Sequence, residues 1–231
     1  GVAASTDGKK LAFAAMGGLY LYDLESGILT TLFDVTQNAG TGGIGISMLN
    51  GAAFAQDDSQ IIFYGNGNTI PAVDGEDGFS IYGSIALDGS GLKLTKPSAY
   101  EIDEMQSSAS RLFFPQTFTQ ADGTLLWIDR ATGSTSTLSF SLGSEGKNGV
   151  YCSEQGNYVA TAVLDGNLTV RVYDVASGER IATEVIENSD PTYFNRIPRI
   201  YLLDGAKTAI VVLGGSINDL DTLVSTFEFG A

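Results

Sequence analysis

The stretch Ser5-Thr6-Asp7-Gly8-Lys9-Lys10-Leu11-Ala12-Phe13, followed by Leu19-Tyr20-Leu21-Tyr22-Asp23-Leu24-Glu25-Ser26-Gly27, decides the fold. A polar turn opens it and an apolar run of strand length follows. A second run, alternating aliphatic and aromatic residues, ends on Asp, and Ser-Gly closes the unit. Period-two alternation marks a strand, and the glycines supply the left-handed backbone that tight hairpins need. The same order recurs at Glu154-Gln155-Gly156-Asn157, then 158–164, 168–175 and Ser177-Gly178. An Asp-x-x-Ser/Thr-Gly element begins at Asp23, Asp129 and Asp174, with a degenerate copy at Asp88-Gly89-Ser90-Gly91. The polar turns near Asp7, Asp57, Ser108, Glu154 and Asp204 lie roughly fifty residues apart.

Each unit reads as four strands, and no stretch carries a sustained helical stripe with caps. The expectation is an all-β chain forming one domain over 1–231, with units at approximately 1–35, 50–96, 105–140, 149–187 and 197–231. A lone four-stranded sheet cannot bury both faces, whereas blades packed in succession bury each face on a neighbour. A four-stranded unit at this period points to a β-propeller of about five blades. A β-sandwich with chance similarity among its turns is the plainer alternative.

The first unit resembles the WD40-like repeat of the TolB type, which reads approximately S-P-D-G-K-x-L-A-F, then an aliphatic–aromatic strand, then D-x-x-[ST]-G. Thr6 stands where that repeat has Pro. The second unit resembles it through Phe54, Asp57-Asp58-Ser59-Gln60-Ile61-Ile62-Phe63 and 81–91, and the fourth through 157–178. The third and fifth are weaker. The resemblance implies a propeller acting as a binding platform and carries no catalytic residues. The Trp-Asp and Gly-His pairs of WD40 repeats proper are absent.

Five four-stranded units need twenty strands, and about nineteen are legible; the outermost strand of the last unit is missing. Three readings follow: a fragment of a longer propeller, a five-bladed ring with one three-stranded blade, or a blade edge completed by a strand from another chain. The chain begins at Gly1 rather than Met, which suggests a processed, trimmed or engineered start.

Composition narrows the chemistry. The 231 residues include 12 Lys+Arg, 27 Asp+Glu, no His, one Cys and one Trp, for a formal net charge of −15. Without His there is no Ser-His-Asp or Cys-His catalysis and no His-based metal site. One Cys allows neither an internal disulfide nor a Cys cluster. The negative charge disfavours nucleic acid and anionic lipid. No apolar run approaches the roughly 20 residues that span a bilayer. The acidic, Lys-poor, Ser/Thr/Gly-rich composition suits a secreted, cell-surface or periplasmic protein.

Antiparallel order places short turns on one side of the units and long loops on the other, near 35–50, 65–78, 96–105, 115–123, 141–149, 187–197 and 214–221. Binding residues concentrate on long loops of rigid scaffolds, so Tyr100, Tyr193, Phe194 and Arg196 are the candidate contacts there. Acids also gather on that side. Asp74, Glu76 and Asp77, with the neighbouring Gly65-Asn66-Gly67-Asn68, and the pair Asp219 and Asp221 offer oxygen ligands for calcium, although neither loop matches an EF-hand. Plain turn chemistry explains the same residues. Trp127 reads as core between blades, and Cys152 as a small buried apolar residue.

The leading functional expectation is a non-enzymatic binding or assembly scaffold, engaging a protein partner or a further copy of itself through the long-loop face or an open blade edge. No cofactor is expected beyond calcium. The alternatives are a propeller glycosidase or lectin acting on carbohydrate, and a propeller domain of a longer hydrolase. A glycosidase needs paired carboxylates near the axis, yet the first strands around 52–54, 150–152 and 199–203 are apolar.

Overall fold

Side chains at the turns explain why the repeat folds as it does. Asp23 accepts hydrogen bonds through Oδ1 from Ser26 N (2.8 Å) and Ser26 Oγ (2.9 Å), while Gly27 N donates to Asp23 O at φ +71°. Asp174, Ser177 and Gly178 repeat this arrangement, with Ser177 N 2.7 Å from Asp174 Oδ1. At the other hairpin a buried serine closes the turn. Lys10 N donates to Ser5 Oγ, Arg111 N to Ser108 Oγ and Tyr158 N to Ser153 Oγ, all at 2.9–3.0 Å. These three serines are buried, and their hydroxyls satisfy backbone groups that water cannot reach.

The computed structural model describes the chain except residues 37–39, 72–77, 98–101, 103, 116–121, 142–146, 189–197, 215–221 and 231. Every regular element among the described residues is a strand, and every sheet is an antiparallel meander in chain order. The first sheet holds β1 (Val2–Ala4), β2 (Lys10–Ala15), β3 (Gly18–Asp23) and β4 (Leu29–Asp34). The second holds β5 (Ile44–Phe54), β6 (Gln60–Thr69), β7 (Phe79–Ala86) and β8 (Lys93–Thr95). The third holds β9 (Gln106–Ser107), β10 (Arg111–Phe114), β11 (Asp122–Asp129) and β12 (Thr135–Ser141). The fourth holds β13 (Lys147–Cys152), β14 (Tyr158–Asp165), β15 (Asn167–Asp174) and β16 (Arg180–Ile186). The fifth has three strands among the described residues: β17 (Arg199–Leu203), β18 (Thr208–Gly214) and β19 (Thr222–Glu228).

Contacts divide the chain into two units. One comprises residues 1–105 with 130–133, and the other 106–129 with 134–231. In the first, Leu19, Leu21 and Phe33 of the first sheet pack on Phe54, Phe63 and Ile81 of the second. In the second, the fourth sheet lies between two neighbours. Val159 and Val163 of β14 meet Phe113, Leu125 and Leu138 of the third sheet, while Ala160, Ala162 and Leu164 meet Ile200, Val211 and Leu213 of the fifth. Burial on both faces explains why β14 reads as a continuous run of small and aliphatic residues rather than an alternating one.

The structure corrects the loop limits. Residues 44–50 and 65–69, read from sequence as parts of long loops, belong to β5 and β6. Glycine here serves close strand approach, not loop mobility. A Cβ at Gly65 would overlap Met48 O, and one at Gly67 would lie 2.6 Å from Gly45 O. Register shifts at Ile46/Met48 and Leu49/Gly51 accommodate the extra length.

Candidate functional site

Tyr100, Tyr193, Phe194 and Arg196, and the calcium candidates Asp74, Glu76, Asp77, Asp219 and Asp221, all lie outside the described residues. Of the proposed oxygen-rich loop, Gly65-Asn66-Gly67-Asn68 is strand, pairing with Leu49, Met48, Ile46 and Gly45. The described residues include no group of three or more acidic or Cys side chains placed to hold a metal ion. Cys152 is half-buried, and its N–H donates to Gln106 Oε1 at 3.0 Å.

A cavity of about 380 Å³ lies in the second unit, on the short-turn side, between the third and fourth sheets. The third sheet contributes Arg111 from β10, Trp127 from β11, and residues 136–139 of β12. The fourth contributes 175–178, the turn joining β15 to β16. Ladder register explains the grouping. Phe113 pairs with Trp127 and Trp127 with Ser136, so these side chains share the face turned toward the fourth sheet, and Arg111 lies two residues from Phe113 on the same face. Deeper along that face, Phe113, Leu125, Leu138 and Phe140 form the intersheet core, with Trp127 packed at its border. The expectation of Trp127 as core is therefore met on one side of the ring, while its other surroundings are the cavity.

Arg111 is held at one end. Its Nη1 donates to Gly156 O at 2.6 Å, and its guanidinium carbon stands 4.9 Å from the Trp127 ring centroid. Arg111 Nε and Trp127 Nε1 are both hidden from solvent without a hydrogen-bond partner. An unsatisfied buried donor costs about 1–3 kcal/mol, more when charged, so two such donors beside one cavity form a demanding local environment. The opposite wall is stiff: Ser177 is tied to Asp174, and Gly178 N donates to Asp174 O. Ser136, Thr137 and Ser139 are exposed, and β12 is the outer strand of its sheet, so one side of its backbone carries no strand partner among the described residues.

Sequence reasoning passed over this site, although a signal was present. When the repeats are aligned on the strand-ending Asp, the position two residues earlier is Leu21, Trp127 and Val172. The residue opening the second strand is Lys10, Arg111 and Tyr158. In the first sheet Lys10 pairs with Asp23 across the ladder, Nζ to Oδ2 3.8 Å. Asp129 faces Arg111 in the same register, yet Arg111 turns away to Trp127 and Gly156. The third unit thus departs from the repeat at two neighbouring positions at once.

No family model matches this chain, and no curated protein does. Among solved structures, a chain of a mitotic checkpoint complex is similar over 100% of this chain and 63% of its own length, at 12% identity and a TM-score of 0.53. TolB from Acinetobacter baumannii aligns over 99% of this chain and 54% of its own, at 18% identity and a TM-score of 0.48. The chain therefore spans less than two thirds of the length of either. Taken with the succession of antiparallel meanders, the first of these likenesses establishes the fold class, an all-β chain of the β-propeller type.

Proposed function

We propose that this chain is a non-catalytic binding module that takes an extended segment of a protein partner between the edge of β12 that has no strand partner among the described residues and the turn at 175–178. The observation that carries this reading is the cavity itself. A recess of about 380 Å³ is large enough for a side chain and its adjoining backbone, and it lies beside a strand edge that can accept backbone pairing. A chain of the same fold occurs in a complex named for the mitotic checkpoint, which agrees with an interaction role. The first strands of the five sheets carry no Asp or Glu, which counts against a glycosidase arrangement. The repeat motif supports a TolB-type relationship, and the acidic composition supports an exported, periplasmic or surface location.

Panning a random-peptide phage library on the immobilised chain tests the reading. Enriched peptides are then measured by fluorescence anisotropy against Ala176→Trp, which fills the cavity mouth from an exposed turn, and against Ala15→Trp on the other unit as a control. The expected result is at least about a tenfold loss with Ala176→Trp and none with Ala15→Trp. Peptides that bind Ala176→Trp as well as the parent, or a library that yields none, would overturn it.

A further inference from the structure

Among the described residues, the fifth sheet is one strand short of its neighbours. Every other sheet lays a further strand along its third, as β4 lies along β3 and β16 along β15, whereas β19 has no such neighbour. Its backbone is set to take one. Phe229 N donates to Lys207 O at 2.8 Å, so by the alternation of an antiparallel ladder the N–H groups of Leu223, Ser225 and Phe227 turn to β18. Those of Thr222, Val224, Thr226 and Glu228 turn to the open side. The strand carries none of the devices that blunt an edge: no Pro, no Lys and no register shift against β18.

The neighbouring sheet leaves a ledge over the same position. A Cβ at Gly230, just past β19, would lie 3.6 Å from Ile181 Cδ1, which fixes the start of β16 beside the end of β19. Ile186 pairs with Leu168 and Glu184 with Val170, so both side chains share the face on which Leu168 and Val170 meet the fifth sheet. Where the next sheet has four strands, the apolar residues of the outer strand are buried: Leu32 and Phe33 of β4, Leu138 and Phe140 of β12. Where it has three, Ile181, Ala182 and Ile186 of β16 stay half-buried. Among them stands Glu184, also half-buried, whose carboxylate has no hydrogen-bond or ion-pair partner among the described residues.

We infer that the open side of β19, under this ledge, is a docking groove for one extended basic segment of a partner protein. The segment runs antiparallel to β19, with aliphatic residues at alternate positions and a Lys or Arg between them. Its backbone pairs with the outward groups of β19, its aliphatic side chains cover Ile181, Ala182 and Ile186, and its cation meets Glu184. The net charge of −15 favours the approach of a basic segment. The groove is one strand wide. A second copy pairing through its own β19 would bring its own β16 to the side that this β16 already holds, so the occupant is a lone strand. The groove is separate from the cavity beside β12 and does not rest on the reading of that cavity.

The probe is a capped, fluorescein-labelled heptapeptide, Thr-Val-Thr-Lys-Thr-Val-Thr, titrated into the folded chain and followed by anisotropy. The expected result is saturable binding, weakened about tenfold or more when Glu replaces the peptide Lys and about three- to fivefold in Glu184→Gln. N-methylation of the third and fifth peptide residues, whose N–H groups turn to β19, abolishes binding. N-methylation of the central Lys, whose N–H turns to solvent, leaves affinity within about twofold. Val224→Pro removes one outward N–H, spares the ladder to β18 and abolishes binding; should it fail to fold by circular dichroism, the two N-methylated peptides decide on the unaltered chain. In nitrogen-15 spectra the peptide slows hydrogen exchange at the Val224 and Thr226 amides. Ala176→Trp leaves the affinity unchanged. Absence of saturable binding, equal affinity for the Lys and Glu peptides, unchanged affinity in Glu184→Gln, or indifference to the position of N-methylation would overturn the inference. So would loss of binding in Ala176→Trp, which would place the peptide at the cavity instead. A chain that sediments as a dimer with the Val224 and Thr226 amides protected before peptide is added would overturn it in favour of a second copy. Failure of the heptapeptide leaves the binding-module reading of the cavity intact.

Discussion

Gly156→Ala should disturb the second unit and the cavity together, and its cost can be worked from the structure. Gly156 adopts φ +84°, which a residue with a Cβ occupies at a cost of about 1–2 kcal/mol. A Cβ there would also overlap Ser108 Oγ and lie 3.0 Å from Ser110 Oγ. Ser108 cannot simply swing aside. It is buried, its Oγ donates to Arg111 O at 2.9 Å, and it accepts from Arg111 N at 3.0 Å. Displacing it strands a backbone pair at about 1–3 kcal/mol, while the stiffer unfolded chain returns about 0.4–1 kcal/mol. The net destabilisation is about 1–5 kcal/mol. Gly166→Ala is the matched control, since Gly166 has φ +73° and open space where its Cβ would go; strain alone leaves it at about 0–1.6 kcal/mol, about 1–3 kcal/mol below Gly156→Ala. Urea unfolding followed by Trp127 fluorescence reports both, because both glycines and the tryptophan belong to the same unit. A difference between the two variants below about 0.5 kcal/mol would refute the reasoning. In Ser108→Ala the overlapping oxygen is gone, so the penalty of Gly156→Ala should shrink measurably in a double-mutant cycle.

Other perturbations follow from the same contacts. Thr161 is fully buried and its Oγ1 has no partner, so Thr161→Val should raise stability by about 1 kcal/mol in urea, and a loss would mean the hydroxyl is satisfied. Phe63 is fully buried among residues of the first and second sheets, and Phe63→Ala should cost about 3–5 kcal/mol by circular dichroism; a cost under about 1 kcal/mol would contradict the packing. Four turn carboxylates titrate below the ordinary 3.8. The Ser5 hydroxyl holds Asp7 down, the Ser26 backbone N–H Asp23, the Ser59 hydroxyl Asp57 and the Ser90 hydroxyl Asp88. As pH falls, the unfolded chain takes up these protons first, so their stabilisation is complete above about pH 5 and fades as pH drops through 3.8 and below. Melting temperature against pH should decline less steeply in Asp23→Asn, and an unchanged slope would remove Asp23 from the explanation.

Much of the fold was legible because its determinants are local. The Asp23 and Asp174 turns complete their hydrogen bonds within four residues, and each recurring serine of Ser5, Ser108 and Ser153 satisfies a donor within five. Runs such as 19–22 and 168–173 alternate because one face of a sheet meets its neighbour and the other meets a different environment. Reading was weaker where glycine had two meanings. Gly65 and Gly67 looked like a flexible loop, but they allow close passage of β5, and only knowledge of the partner strand separates the two.

The cavity shows the opposite limit. Residue by residue, Trp127 looked like core, and nothing in the sequence singled out Arg111. Their actual environment depends on Gly156 and on residues 175–178, which lie some fifty residues further along and arrive only when the fourth sheet packs on the third. The amino-acid order by itself determined the strands, their turns and the meander of each sheet, since hydrogen bonds spanning a few residues and a period-two pattern suffice for those. Tertiary packing alone decided which donors would be left unpaired and what space would stand beside them. The satisfaction of a buried N–H depends on every neighbour within a few ångströms, and most of those neighbours are distant in the chain.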